Sequence, residues 1–565
     1  MKSELIQEDK ADSQRPWWRE QEVALLIVLV AAAYFLRIGE VTLRGEETRR
    51  AQVACEMIQS GDWIVPREQG EPYMSRPPFQ NWLIALSSLA FGSWDPWVIR
   101  LHSVLALLFT TLLIYGYART CLSRVCALVA ALAFATMGQM FEIGNQAETE
   151  TTFIALVSSS LLLWHWGMVK GWPAARSWIT GYVLMAIGFL CKGPQAPTYF
   201  LTSVFAYLVL TGQWRRLLTR AHLAGALIGM LVILCWMIPC ALSSSWTVVQ
   251  GIVLKNTTTR VMSWDSSKVL SHLISFPVEI VGGTLPWSPL LIGFAIPALR
   301  RALGTARPHA IFMTLCVVLA LPTCWIPPTG SSRYFMPLFA CLAILVGIVL
   351  ECGLRVEMSG QKLGGWCWYV RFLSGTMAAT ALFVIAASAF LAGDPTLGNW
   401  VERLPVAFAY GGLFLLLALV VYTGRKGGTP SQVRKVALAT ACFMVLLLTG
   451  LMTNTLVRRA EDQAGAITRL KEQLPPGHRL VSFGHIHSNF AYYYGQPITP
   501  LSYLPTANDL PADDNIVFCF DVGEEGRPPL SFDWDKLAVI SMDRNHHEAP
   551  EYVVVVGRPR RTGNK

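Results

Sequence analysis

The chain has 565 residues, of which 53% are hydrophobic and only 15% charged, and it carries 20 tryptophans. A soluble domain usually has about 25% charged residues, so the composition excludes an ordinary soluble enzyme and indicates a polytopic membrane protein. The formal net charge of +9 does not point to nucleic acid, because the basic residues stand in short connectors between apolar runs, the pattern of the positive-inside rule.

Residues 1–22 are long and mixed in charge for a signal peptide. No small-residue cleavage site follows Phe35, so the first apolar run is expected to be retained and 1–22 to be cytoplasmic. Apolar runs follow at about 23–39, 98–117, 125–141, 152–168, 178–191, 197–211, 223–242, 285–299, 310–326, 335–350, 373–392, 405–423 and 437–456. Each is near the length that crosses a hydrocarbon core of about 30 Å. The runs 178–191 and 197–211 are read as two crossings broken at Lys192-Gly193-Pro194, because joined they would extend roughly 50 Å. Two crossings also gather Lys170/Arg176, Arg215/Arg216/Arg220, Arg300/Arg301/Arg307, Arg355/Lys362/Arg371 and Arg425/Lys426/Arg434/Lys435 on one face. The expectation is thirteen spans, with the N-terminus in the cytoplasm and the C-terminus outside.

That topology places a loop at 40–97, the turn Glu142–Glu150, the Lys-Gly-Pro turn, a polar loop at 243–284, the turn 327–333 and the C-terminal region on the outer face. In the first loop, Ala51, Ala54, Cys55 and Ile58 recur at helical spacing and end at Ser60-Gly61, predicting a surface helix with Gly61 in its C-terminal cap. Phe79, Trp82, Leu83, Leu86 and Leu89 form a second helical stripe, started by Pro77 and Pro78. From residue 457 a helix-like EDQAGAITRLKEQL precedes short apolar runs Leu480–Phe483, Ile516–Phe520, Leu537–Ile540 and Tyr552–Val556, which predict a small α/β domain. The expected architecture is therefore an all-α polytopic membrane domain over 23–456 and a small α/β extracytoplasmic domain over 457–565. The 13 cysteines fall mostly in apolar segments without metal or disulfide spacing. His485/His487 and His546/His547 are read as plain polar residues.

Several residues could carry chemistry. Glu46 and Glu47 fit a surface ion-pair helix with Arg49 or Arg50, yet adjacent carboxylates point in different directions, so one could face a cleft as a general base. Arg76, in Ser-Arg-Pro-Pro, is either an interface arginine or a phosphate clamp. Lys192 is held between Cys191 and a Gly-Pro turn. Glu148 and Glu150 suit the first turn of a helix on electrostatics alone. Arg333-Tyr334 fits an interface anchor, and Lys255, Asn256, Arg260, Asp265 and His272 make 243–284 polar.

The order of GEETRRAQ, GDWIVPR, RPPFQNWL, AETETTF, KGP, LPWS and RYFMPL over about residues 20–350 resembles the bacterial glycosyltransferases related to protein O-mannosyltransferases. It is more closely similar to the aminoarabinose transferases of lipid A. The resemblance implies a GT-C fold in the bacterial inner membrane with a periplasmic active site. It implies a sugar donor on polyprenyl phosphate, a lipid, glycan or protein acceptor, and no nucleic-acid partner. Glu46-Glu47 matches the family's Asp-Glu pair, with Glu46 the expected base, and Glu150 falls on its second acidic site with Glu148 nearby. Arg76 stands at the lysine of the family's Lys-Pro-Pro motif. With Lys192 and Arg333 it would hold the lipid phosphate, while Tyr334, Arg260 and His272 would add substrate contacts. Ser75 replaces a glutamate that helps bind a divalent metal in the aminoarabinose enzyme, which speaks against a metal here; no cofactor is assigned.

A flippase or transporter of lipid-linked sugars is the alternative from another class. It would place ionisable residues inside the spans, which are nearly free of them. A polysaccharide ligase or polymerase would carry a much larger late external loop than 243–284. A noncatalytic polytopic scaffold is the plainest reading.

Overall fold

The computed structural model describes residues 16–43, 45–262, 266–359, 364–394, 397–459, 463–496, 498–502, 506, 509–511, 515–522, 530–542 and 553–560. Its contacts divide the chain into two compact units. One comprises Met1–Ile38, Met74–Gln80 and Arg100–Thr455, the other Gly39–Tyr73, Asn81–Ile99 and Leu456–Lys565.

The first unit is a multi-pass membrane helical bundle. Among the described residues nine helices are long and apolar enough to cross a membrane, or ten if a bent pair counts as one. Thirteen crossings were expected, and all thirteen apolar runs contain helix. The remaining four differ in length or continuity. The helices Gln21–Phe35 and Arg124–Ala135 are short, Gln195–Leu210 has 16 residues, and Val269–Gly283 meets Ser288–Ala295 at a bend of 108°. At about 1.5 Å per residue a helix of 15 residues reaches only about 22 Å, which places such a helix below the length of one straight crossing.

The expected break at Lys192 is present: Ala174–Lys192 ends at Gly193, whose φ of 80° is open to glycine, and Gln195–Leu210 begins a new helix. Gly181 faces Phe200 and Gly188 faces Ala196, so the two helices return along one another. The helices Arg124–Ala135 and Phe339–Met358 lie at the centre of the bundle and are apolar on nearly every side, as a buried helix must be. They approach so closely that a Cβ on Gly347 would stand 2.8 Å from the carbonyl oxygen of Cys126.

The region 243–284 is a correction to the sequence reading. It is not a polar loop but two helices, Trp246–Met262 and Ser266–Gly283. Leu270, Ile274, Val278 and Val281 form an exposed stripe at three- and four-residue spacing along the second. Its interspersed polar residues disguise that period.

In the second unit the helix Glu47–Ser60 ends at Gly61 in the left-handed conformation, as its sequence predicts. It buries Val53 and Met57 against Tyr73 and Trp82. The short strands β1 (Arg67–Glu68) and β2 (Glu71–Pro72) form an antiparallel hairpin. Five further strands, β3 (Arg479–Phe483), β4 (Thr499–Leu501), β5 (Ile516–Asp521), β6 (Trp534–Ser541) and β7 (Val553–Pro559), form one sheet in the order β4-β3-β5-β7-β6. β4, β3 and β5 run parallel, while β7 is antiparallel to both β5 and β6.

Alternation along the strands splits the apolar residues between two faces. Leu480, Val517, Cys519, Val554 and Val556 meet the helices Gln463–Gln473 and Ser488–Tyr494 through Ile467, Leu470, Phe490 and Tyr494. Val481, Phe483, Phe518 and Phe520 pack with Phe532 and Trp534. β4 escaped the sequence reading because Thr-Pro-Leu is too short to alternate.

The same unit joins the helix Glu47–Ser60 to its C-terminal part through buried polar contacts. Thr48 Oγ1 donates to Asn489 Oδ1 at 2.6 Å, Asn489 Nδ2 donates to Gln463 Oε1 at 3.2 Å, and Gln69 Nε2 donates to the carbonyl of Ile486 at 2.7 Å. Thr48 and Asn489 are both buried, so Asn489→Ala removes the acceptor of the Thr48 hydroxyl and leaves it the longer contact to Ser488 Oγ at 3.2 Å. That change is expected to cost about 1–3 kcal/mol and to expose the helix to limited proteolysis; an unchanged cleavage pattern would count against the contact.

Candidate functional site

The first unit brings most of the sequence-nominated residues into one connected cluster. Glu148 precedes the helix Thr149–Lys170 and Glu150 sits in its first turn, which would explain both acids by helix electrostatics alone. Glu150 does more: its Oε1 accepts from Lys192 Nζ at 2.9 Å, and the two side chains are only 7% and 2% exposed. The lysine belongs to the last turn of Ala174–Lys192, and the Gly193 break stops that helix where its ammonium meets the acid. Lys192 Nζ also lies 4.9 Å from the ring centre of Tyr334 and 5.4 Å from that of Phe153.

Tyr334 is held by its backbone. Its carbonyl accepts from Gln195 Nε2 and from Tyr199 Oη, each at 2.9 Å. Tyr199 Oη in turn lies 3.0 Å from Cys324 Sγ, and His272 Nε2 stands 3.4 Å from the Cys324 carbonyl. His272 is thus linked to the cluster from the helix Ser266–Gly283 rather than from a loop. Arg333 pairs with Glu142 at 3.1 Å, with both side chains exposed.

Arg76 reaches this cluster through its own segment. Pro77 and Pro78 stand immediately before the helix Phe79–Phe91. One turn on, Gln80 Nε2 donates to the carbonyls of Ala147 and Glu148 at 3.4 and 3.2 Å and lies 2.5 Å from His102 Nε2. Gln80 therefore ties the Arg76 segment to the acidic start of Thr149–Lys170. Arg76 is half-buried, and its Nε is enclosed with no hydrogen-bond partner among the described residues. A guanidinium donor left this way is suited to an anion, which it can grip as a planar fork.

Glu46 and Glu47 belong to the second unit and have unlike surroundings. Glu46 is the residue before the helix; its side chain is 43% exposed and accepts from Arg49 at 2.7 Å. Arg49 also donates to Glu68 at 2.9 Å. Burial works against the Arg49 charge, but the two carboxylates outweigh it and raise its pKa above the usual range. Glu47 is 0% exposed. Arg50 is buried too and donates to Tyr73 Oη at 2.7 Å. Glu46 is thus the exposed carboxylate paired with Arg49, and Glu47 is the enclosed one.

Arg260 lies in the helix Trp246–Met262, but its side chain is outside the described residues, as are Asp265, His546 and His547. His487 serves as the cap of Ser488–Tyr494, accepting from the Asn489 N–H at 3.2 Å. Gln80, Gln195, Tyr199 and Glu142 are site residues that sequence reasoning passed over. The first two stand inside quoted motifs, PPFQ and KGPQ, where proximity to Arg76 and Lys192 is the available signal. Among the described residues no group of three His, Cys, Asp or Glu side chains is arranged to hold a metal ion.

Residues 75–238 match the model of the family described as dolichyl-phosphate-mannose-protein mannosyltransferase. The chain is similar to undecaprenyl phosphate-alpha-4-amino-4-deoxy-L-arabinose arabinosyl transferase 2 of Proteus mirabilis (strain HI4320), with 25% identity over 369 residues covering 64% of this chain and 65% of that protein. The corresponding transferase of Edwardsiella ictaluri (strain 93-146) is 26% identical over 419 residues, covering 71% of this chain and 72% of that protein. The first of these matches therefore spans slightly less than two thirds of its relative's length. Among solved structures, ArnT from Cupriavidus metallidurans bound to undecaprenyl phosphate superposes with a TM-score of 0.68 at 18% identity, covering 94% of this chain and 97% of that one. The likeness establishes a shared fold, the GT-C type that the sequence motifs imply.

Proposed function

We propose that the chain is an inverting glycosyltransferase that moves a sugar from undecaprenyl phosphate to a lipid, glycan or protein acceptor. It would work in the bacterial inner membrane, with the chemistry and the C-terminal α/β region on the periplasmic side. The relatives are named for a 4-amino-4-deoxy-L-arabinose donor, so a pentosyl donor is the first to test. In the reaction an acceptor hydroxyl attacks the anomeric carbon, the bond from that carbon to the phosphate oxygen breaks, and the lipid phosphate leaves with the electron pair. The hydroxyl proton passes to a carboxylate, for which Glu47 is preferred over Glu46 because it is the enclosed one. Donor energy drives transfer, so no nucleotide site is needed.

The observation that carries this reading is Arg76, a half-buried guanidinium whose enclosed Nε has no hydrogen-bond partner among the described residues, in the motif Arg-Pro-Pro. The charge that grows on a departing phosphate is what such a donor stabilises. Lys192, fixed by Glu150 and Tyr334, would supply the second cation, and Arg333 a third at the rim. Arg76→Ala is expected to weaken binding of undecaprenyl phosphate by roughly 10- to 100-fold, read by tryptophan fluorescence on the purified protein in detergent. Arg76→Lys should recover part of it, as a point charge replacing a fork. Wild-type binding by the alanine variant would remove the phosphate assignment.

A further inference from the structure

One cavity lies wholly within the second unit and is lined by none of the residues assigned to transfer. It measures about 850 Å³, within the roughly 300–1,000 Å³ typical of small-molecule pockets. One wall is a face of the helix Glu47–Ser60, where Gln52, Cys55, Glu56 and Gln59 recur at i, i+3, i+4 and i+7. A helix face with that spacing normally packs apolar groups, as Val53 and Met57 do on the neighbouring face. Here it presents two amides, a thiol and a carboxylate.

The remaining walls add aromatic surface. Tyr492 and Tyr493 stand edge to face at 5.0 Å, and Tyr492 Oη is fixed by donating to the Trp94 carbonyl at 2.5 Å. The charge is one-sided: Glu56, Glu71 and Asp95 line the cavity, and the described lining includes no Lys, Arg or His. Glu56 is held by the N–H groups of Gln69 and Gly70 at 2.6 and 3.1 Å.

Amide and carboxylate acceptors suit hydroxyl or ammonium donors, tyrosine faces suit the C–H face of a sugar ring, and three carboxylates repel a phosphate. We propose that this cavity is a saccharide pocket that takes an uncharged or amine-bearing sugar and rejects phosphorylated ones. The proposal does not depend on the transfer reaction.

The full chain in detergent micelles tests it, with a β-1,4-linked glucosamine disaccharide as probe and glucosamine 6-phosphate as the anionic control. Saturable binding of the disaccharide by saturation-transfer NMR is expected, together with slowed alkylation of Cys55 followed by peptide mass spectrometry. Glu71→Lys, a change at an exposed position, should weaken the disaccharide about fivefold by reversing one wall charge. The proposal is overturned by absence of saturable binding, by binding that leaves Cys55 alkylation unchanged, by equal affinity for the 6-phosphate, or by an unaffected Glu71→Lys variant.

Discussion

Glu47→Gln is expected to lower sugar transfer by roughly 10²- to 10⁴-fold, the usual contribution of a positioned general base, while the protein still inserts and purifies as a single species. Glutamine keeps the shape of the side chain and one acceptor oxygen but cannot take the acceptor proton. The neighbouring substitution is the control. Glu46 is half-exposed and spends its carboxylate on Arg49, and such surface pairs contribute about 0–1 kcal/mol, so Glu46→Gln should change transfer by about fivefold or less. Both variants would be assayed in proteoliposomes with a polyprenyl-phosphate sugar, alongside size-exclusion profiles. A large loss at Glu46 with none at Glu47 would return the base to Glu46. Unchanged turnover in both would leave the reaction without a base from this pair, as a phosphate acceptor would permit.

The second large effect concerns the ion pair inside the membrane unit. Glu150→Ala leaves the Lys192 ammonium in surroundings that expose only 2% of its side chain, and breaking a buried pair from one side typically costs about 3–5 kcal/mol. Lys192→Met takes the paired cation away from the buried Glu150 carboxylate. The double change Glu150→Gln with Lys192→Met removes both charges at similar volume and is expected to recover most of the lost stability. Thermal unfolding in detergent reads the cycle. A double variant no more stable than either single one would show that the two groups are not coupled. Donor binding then separates support from function: the restored double variant should still bind undecaprenyl phosphate poorly if Lys192 touches the phosphate, and normally if the lysine only braces the bundle.

Much of this was readable in the chain. Long apolar runs, the Gly193 break, the capped helix before Gly61 and four of the five sheet strands all leave local signatures, because burial imposes a period and turns impose residue types. The helices Trp246–Met262 and Ser266–Gly283 were not read, since Lys255 and His272 interrupt the apolar count while the helical period persists beneath them. The choice between Glu46 and Glu47 was equally hidden: two adjacent carboxylates look alike in sequence, and only packing encloses the second. Glu150 and Lys192 were both nominated, but their pairing across 42 residues is a tertiary fact. Gln80 and Gln195 had no local signal of their own, because an amide that braces a carbonyl follows no spacing rule.

The hydrogen bond from Thr48 to Asn489 spans 441 positions of the chain. At the usual pace of synthesis, about 5–20 residues per second, the ribosome needs roughly 20–90 s to make that interval. The earliest helix of the second unit therefore waits, its hydroxyl unanswered, until nearly the whole protein has been made and delivered to the bilayer. An unfinished chain lacks the partner that holds Thr48, so completion of the polypeptide itself becomes the step that finishes this unit.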